Sequence, residues 1–545
     1  KATVTSDDNG NLKVNGEALL LGISLTVEKT EVDHIDGFVL FNESEIRIFS
    51  RGQIAKQPIV LKGTTDLNMI EPMLNLELSS KSFDVTKVLE NFPVKGTFNF
   101  VANIQGNFKE PLITGNFSSE ELIYQEYIAH NVVADLRFGN DVLYIDSLTT
   151  DLCEGKANIQ GEFNTKTEKY GITLMGENIN LDLLPEYNQG LSGYMDLDVR
   201  AKGQGLNDLN NVIVSGKTTV HDGSYAGVNF TGVDAGFYKD ANYIAVDYVN
   251  VNLPQGQVTL TGQINEQNIN LVMQGNNVAL AQFLQNRSEF DLSGNASFHG
   301  NIRGTLEAPT VFVNVLAENG SILYQPYQKL TGILESDFET INIKNIEMID
   351  GISTHKVQGS IGLKNENPLN LTVVSTQARA ENLIKLLLPA EDLTGNVDNT
   401  VVLRGTLENI DAEGNIFFND GSYRGMLLRE AHGKYKRKDG VTSIEDFSIS
   451  SPNLNVKISG LISAGNELDF DIIADDIDLV QLKLNLPYKA EGKAKFVGKL
   501  KGHVDNPNFY GTLTADRTVF NQNELRNING KIRYANDEIE LDSFN

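Results

Sequence analysis

Seven histidines, one cysteine and one run of carboxylates are the residues in this 545-residue chain whose types could do acid–base, nucleophilic or metal chemistry. His34, His130, His221, His299, His355, His432 and His503 are scattered, and no two stand four residues apart as a helical pair of metal ligands would. Cys153 has no second cysteine to pair with. The run ADDIDL at residues 474–479 lacks the glycine turn and alternating oxygen ligands of a calcium loop, and reads as a solvated strand end. No HExxH, GxSxG, phosphate-loop or CxxC pattern occurs. These residues predict no enzyme, no metal site and no cofactor, so function has to be sought in how the chain is built.

Acids outnumber bases 72 to 45, a net charge of −27. That balance excludes a nucleic-acid binder, which needs clustered Lys and Arg, and it disfavours lying flat on an anionic bilayer. No segment approaches the roughly 18 uninterrupted apolar residues of a membrane span. The chain begins with Lys1 and has no signal-peptide pattern, so a processed or excised piece is expected, with any anchor outside it. Tryptophan is absent, which removes the largest side chain available for filling an interior.

The stretch GTFNFVANIQGNFKEPLITG at residues 96–115 returns at residues 492–511 as GKAKFVGKLKGHVDNPNFYG. Equivalent glycines stand at Gly96, Gly193, Gly294, Gly395 and Gly492, spaced 97, 101, 101 and 97 residues apart. Each has a second glycine ten residues on, at Gly106, Gly203, Gly304, Gly405 and Gly502. An aromatic follows at Tyr124, Tyr225, Tyr324, Tyr423 and Phe520. The chain therefore reads as an array of units near 100 residues. The boundaries expected are a partial repeat over 1–93, repeats over 94–190, 191–289, 290–391 and 392–489, and a truncated repeat over 490–545, all in one continuous rod.

Each unit alternates apolar and polar residues as half-buried strands do. KANIQGEF sets Ala157, Ile159, Gly161 and Phe163 on one face, and QVTLTGQI does the same with Val258, Leu260, Gly262 and Ile264. The residues expected to line a shared interior are Ile159, Phe163, Leu174, Val258, Leu260, Ile264, Leu271, Val357, Ile361, Leu371, Val456, Ile458, Leu468 and Phe470. Glycine inside a strand is tolerated where the strand bends or another backbone comes close, so Gly161, Gly262, Gly359 and Gly460 are read as a line of creases, with Gly63 extending the series. One short helical spacing recurs per unit: Val85, Val88, Leu89 and Phe92; Leu280, Phe283 and Leu284; Ala380, Leu383, Ile384, Leu387 and Leu388. These read as linkers packing on the lip of the sheet. Tyr225 and Tyr423, each in DGSY, are expected to start strands after an Asp-Gly turn.

The pattern G-x9-G-x4-P-x3-G followed by an aromatic, alternating strands and a closing NINLDLL or DDIDLVQLKLNLP resembles the AsmA-like proteins, and among them the TamB group. The resemblance runs from the Gly63 region to the end, although units two and four lack the proline seen at Pro111, Pro309 and Pro507, and unit three lacks the glycine seen at Gly115, Gly216, Gly414 and Gly511. It implies an all-β, elongated, repetitive β-taco, a U-folded twisted sheet with a continuous hydrophobic groove and short helical linkers between repeats. It further implies a periplasmic protein of a double-membraned bacterium, attached to the inner membrane through an N-terminal anchor and meeting an Omp85-type outer-membrane barrel, both through regions outside this chain. The ligand implied is phospholipid, passed between the two membranes. Two other readings stand beside it: a chaperone or scaffold for outer-membrane protein assembly using exposed sheet edges, and a surface adhesin of β-solenoid type, whose 20–30-residue period is not seen here.

Overall fold

A strand with one apolar and one polar side needs a neighbour in the same register, and short turns supply one each time. The computed structural model describes residues 2–6, 8, 12–27, 30–66, 72–88, 93–184, 190–205, 211–284, 292–322, 325–363, 368–387, 392–406, 409–423, 426–480, 490–535 and 538–544. The chain divides into two units, Lys1–Glu266 and Gln267–Asn545. The first holds eighteen of the described strands and the second seventeen. Within each, the long strands pair antiparallel with their neighbours in sequence, a plain meander. The protein is all-β and repetitive.

Several hairpins close with two central residues at positive φ, among them Ala55 and Lys56, Asn140 and Asp141, Cys153 and Glu154, and Asn521 and Gln522. This is the turn whose twist matches that of the strands it joins. The Asp-Gly pair at Asp439 and Gly440 closes such a hairpin, but the DGSY segments do not. They end the strands Ile213–Tyr225 and Ile410–Tyr423 rather than starting new ones. Asp222 and Asp420, each at φ +46, are bulge residues. The bulge sets Gly223 and Gly421 against the carbonyls of Ser192 and Thr394 at the opening of the same repeat. There Ser224 meets Ser192 at 3.0 Å and Ser422 meets Thr394 at 2.9 Å, hydroxyl to hydroxyl. Ser321 and Ser293 make the same contact at 2.9 Å. Tyr324 lies outside the described residues.

The glycines ten residues apart bracket one strand of each repeat. The opening glycines Gly96, Gly193, Gly294, Gly395 and Gly492 all have φ between +109° and +141°. Four of the five that follow, Gly106, Gly304, Gly405 and Gly502, have φ between +96° and +109°, where the strand ends in a hairpin.

Six long strands separate successive helical turns: Val85–Lys87 from Leu181–Leu183 in the first unit, and Leu280–Leu284 from Ala380–Leu387 in the second. Six is even, so both turns of a unit fall on the same margin of its sheet. The core sits there. Val278, Ala317 and Ala378 are 0 % exposed. Leu280 packs on the cluster of Ala296, Ala317, Tyr327, Leu330 and Met348, and Leu383 on that of Ala380, Val397, Phe418 and Ala431. Leu89, Phe92 and Leu388 of the expected helical spacings lie outside the described residues.

The polar side is held by ion pairs directly across the strands. Along Glu467–Asp478 and Ala490–His503, Lys501 meets Asp469 at 3.1 Å, Lys499 meets Asp471 at 2.7 Å and Lys495 meets Asp475 at 2.9 Å. These pairs are exposed and screened by water, so they orient the face more than they stabilise it.

A methyl group at Gly460, where φ is +153°, would meet the Asp469 carbonyl and the Phe470 Cα. Gly460→Ala is therefore expected to cost about 1–3 kcal/mol, read as a lower urea midpoint, because both the conformation and the space exclude a side chain. A midpoint equal to that of the parent would show that the strand relaxes freely at this position.

Candidate functional site

Residues directly opposite each other in an antiparallel pair put their side chains on the same face, so a face can be followed strand by strand through the register. In the second unit one such row starts at Gly275 and passes through Phe298, Val315, Gly332 and Ile346. It continues through Val357, Val373, Val401, Gly414 and Tyr435. It then runs through Ile444, Gly460, Phe470, Leu500 and Phe509 to Tyr534. Sixteen successive strands are crossed, and every position is aliphatic, aromatic or glycine.

The first unit has its own row. It runs from Phe100 through Phe117, Ala134, Leu148 and Ile159 to Leu174. From there Val199, Gly216, Phe237 and Val246 lead to Gly262. Eleven strands are crossed without a polar residue. A parallel row on the same strands carries Ile104, Ile113, Phe138, Leu143, Phe163 and Tyr170.

The register puts the fourteen expected interior residues on these faces. Ile159, Phe163, Leu174, Val258, Leu260 and Ile264 share the face of the first unit, and Leu271, Val357, Ile361, Leu371, Val456, Ile458, Leu468 and Phe470 that of the second. Leu271 and Phe470 are buried and the other twelve half-buried, while alternate residues such as Gln160, Glu162, Gln263, Lys356 and Lys457 are exposed. No helical layer covers the face among the described residues. The completely buried side chains lie at the margin with the helical turns, although Ile269, Leu271 and Leu369 toward the opposite margin are also buried; among the described residues no helical turn covers that opposite margin, which is the open one. In the first unit the face is concave, enclosing about 410 Å³ lined by residues that include Phe83, Phe100, Phe117, Ala134, Leu136, Ile145 and Leu148, with Ser118 the one polar contributor.

The four mid-strand glycines occupy one structural position. Gly161 is opposite Ile145, Gly262 opposite Val246, Gly359 opposite Ile343 and Gly460 opposite Ile444. A bulge lies beside each, after Ile145, Val246, Ile343 and Ile444 in the preceding strand. Bulges bend their strand and sharpen its twist. On the other side, the carbonyls of Gly171, Asn370 and Asp469 occupy the space a Cβ would need at Gly161, Gly359 and Gly460.

A second bulge in each repeat was not expected from the sequence. Ser82, Asn178, Asn277, Gln377 and Asp476 have φ between +49° and +56° near the end of the strand that leads to the closed margin. Four of the freed amides donate to a side chain of the next strand: Ser82 to Asn99 at 3.0 Å, Asn178 to Asp196 at 2.7 Å, Asn277 to Ser297 at 3.3 Å and Gln377 to Asp398 at 2.7 Å. The signal available was an apolar or small residue followed three positions later by another, with polar residues between.

The residues that could do chemistry are not brought together. His34, His130, His221, His432 and His503 each sit beside one carboxylate at 3.2–3.8 Å, in separate places. Asp475 and Asp476 of ADDIDL pair with Lys495 and Lys493, and Asp478 accepts from the Val480 amide at 3.0 Å. Burial, with Glu154 beside it, pushes the Cys153 thiol up, away from reactive thiolate. A larger concavity of about 1070 Å³ lies on the polar side of the second unit, among residues such as Asp398, Thr400, Glu430, His432 and Lys457.

His355 differs from the other histidines. It is 7 % exposed, on the apolar side near the closed margin, with Nδ1 2.9 Å from the Ser375 hydroxyl. Across from Ser375 stands Asn399, whose Oδ1 accepts from the Tyr435 hydroxyl at 3.2 Å. Comparison of the chain with protein-family models and with curated proteins found no match.

Burial lowers the His355 pKa, against a smaller opposing effect of Asp350. The unfolded chain then takes up a proton, near about pH 6.5, that the folded chain refuses. This contribution to stability is full above that value and falls as the pH drops toward the lower folded pKa. Urea midpoints of the parent and His355→Gln are expected to converge from pH 7.5 to pH 5. A constant difference between them would assign no part of the acid sensitivity to His355.

Proposed function

We propose that this chain carries phospholipid, with acyl chains sliding along the apolar face and headgroups in water at the open margin. The observation that carries the reading is the row of sixteen strands from Gly275 to Tyr534, aliphatic, aromatic or glycine at every step. At about 4.8 Å per strand that row is roughly 70 Å long, more than twice the ~30 Å hydrocarbon core of a bilayer. A site for one lipid needs no such length; a track does. Releasing a chain of ~14 methylenes into water costs roughly 11 kcal/mol at about 0.8 kcal/mol each, whereas a step along an unbroken apolar row exposes almost nothing new.

The repeat pattern resembles that of the AsmA-like proteins of the TamB group, which supports a place in the periplasm of a double-membraned bacterium. On this reading the inner membrane and an Omp85-type barrel in the outer membrane are reached through other regions of a longer protein.

The test combines extraction with crosslinking. Mass spectrometry of an organic extract of the purified chain is expected to find phospholipid. A photoreactive residue replacing Leu174, on the apolar row, is expected to crosslink labelled phospholipid, and the same residue replacing the exposed Gln160 is not. A lipid-free extract, or crosslinks to polypeptide from position 174, would overturn the proposal.

A further inference from the structure

We infer that Arg437 in the second unit holds the phosphate of a lipid head while the acyl chain lies on the apolar face, and that Lys239, at the equivalent place in the first unit, does the same for a separate lipid. This rests on the lipid reading and specifies its ligand. Arg437 faces Ala412 and Thr442 on the apolar side, two residues beyond Tyr435. Its row continues to Leu403 on one side and Ile462 on the other. Lys239 lies between Val214 and Ile244, two residues beyond Phe237. Tyr435 and Phe237 are themselves equivalent, since Gly414 and Gly216 stand opposite them.

Both cations stand at the open margin, where the face meets water. That sign is not what composition favours, because the chain carries a net charge of −27 and would repel an anion elsewhere. Arg437 is exposed and makes no hydrogen bond or ion pair among the described residues, although its neighbour Lys436, on the polar side, is engaged with Glu413 at 3.5 Å. A guanidinium presents five donors in a planar fork that suits phosphate oxygens two at a time. Lys239 donates to the Val212 carbonyl at 3.3 Å, which holds its ammonium at this margin. The stems of both side chains can lie along the apolar surface while their charged ends reach water.

The ligand chemistry is thus a phosphate ester attached to hydrocarbon, and free phosphate is the competing source of the same contact. The experiment measures binding of tail-labelled phosphatidylglycerol, and of diacylglycerol with the same labelled tails, to the full chain and to Arg437→Gln/Lys239→Gln. The variant is expected to bind phosphatidylglycerol roughly three- to tenfold more weakly, as partly exposed charged hydrogen bonds are lost, and diacylglycerol equally well. Lys436→Gln serves as the polar-side control and is expected to bind both as the parent does. Equal weakening toward both lipids, or no change toward either, would overturn the assignment while leaving the lipid reading intact. Displacement of phosphatidylglycerol by inorganic phosphate at millimolar concentration would assign the two cations to free phosphate instead. Failure of the parent to bind either lipid would remove the lipid reading and this inference together.

Discussion

A slip of one residue in any strand pair would turn that strand's apolar side chains to water, and the whole face depends on this not happening. Alternation alone cannot guarantee it, because the sequence does not alternate without interruption. Gly176 and Ile179 both belong inside yet are three residues apart, and so are Gly275 and Val278, Ser375 and Ala378, and Ala474 and Ile477. The bulge at each place absorbs the extra residue and returns the strand to the same face. The amides this frees are held by Asp196, Ser297 and Asp398 in three of the four cases. Register is thus maintained by polar groups on the outside for the benefit of apolar ones within.

The second constraint is that a one-sided sheet must hide its apolar side, and here it does so unevenly. At the closed margin of the second unit the helical turns lay Leu280 and Leu383 against residues such as Ala296, Ala317 and Val397, and Leu181 is likewise buried in the first. Along the middle of the strands the side chains stay half-buried. Polar groups that do enter the apolar side, His355, Ser375, Asn399 and Tyr435, include two hydrogen-bonded pairs. Buried polar atoms without partners would cost about 1–3 kcal/mol each, so their pairing is what lets them stand beside an apolar path.

Much of this was legible in the sequence. Repeats near 100 residues, strand character and the shared face of residues such as Ile458 and Gly460 all follow from period-2 patterning and glycine spacing. What escaped were features in which backbone geometry overrides residue preference. DGSY looked like a turn because Asp-Gly usually is one, but Gly223 and Gly421 are there for close contact with Ser192 and Thr394. The bulges at Asn178, Asn277 and Gln377 break the alternation that made the strands visible, and a reader following period 2 stops there. Arg437 and Lys239 escaped for a different reason: each keeps plain period-2 spacing from Tyr435 or Phe237 and so shares the apolar face, but a charged side chain at the end of a strand reads as an outward residue.

Repetition and openness then have one physical origin. A closed core gains stability from each side chain it buries, but it holds a fixed amount of hydrocarbon. A meander whose face is covered by helical turns on one margin only gives up part of that burial, and in exchange each further repeat within a unit extends the row by six strands without a new kind of contact. The glycines opposite the bulges make this extension possible, because each repeat bends its sheet at the same register position and so presents the next repeat with a face of matching curvature. The proposed carriage of hydrocarbon would rest on this more than on any individual side chain: the steps of such a path must be alike, so that no position holds a chain much more tightly than the next.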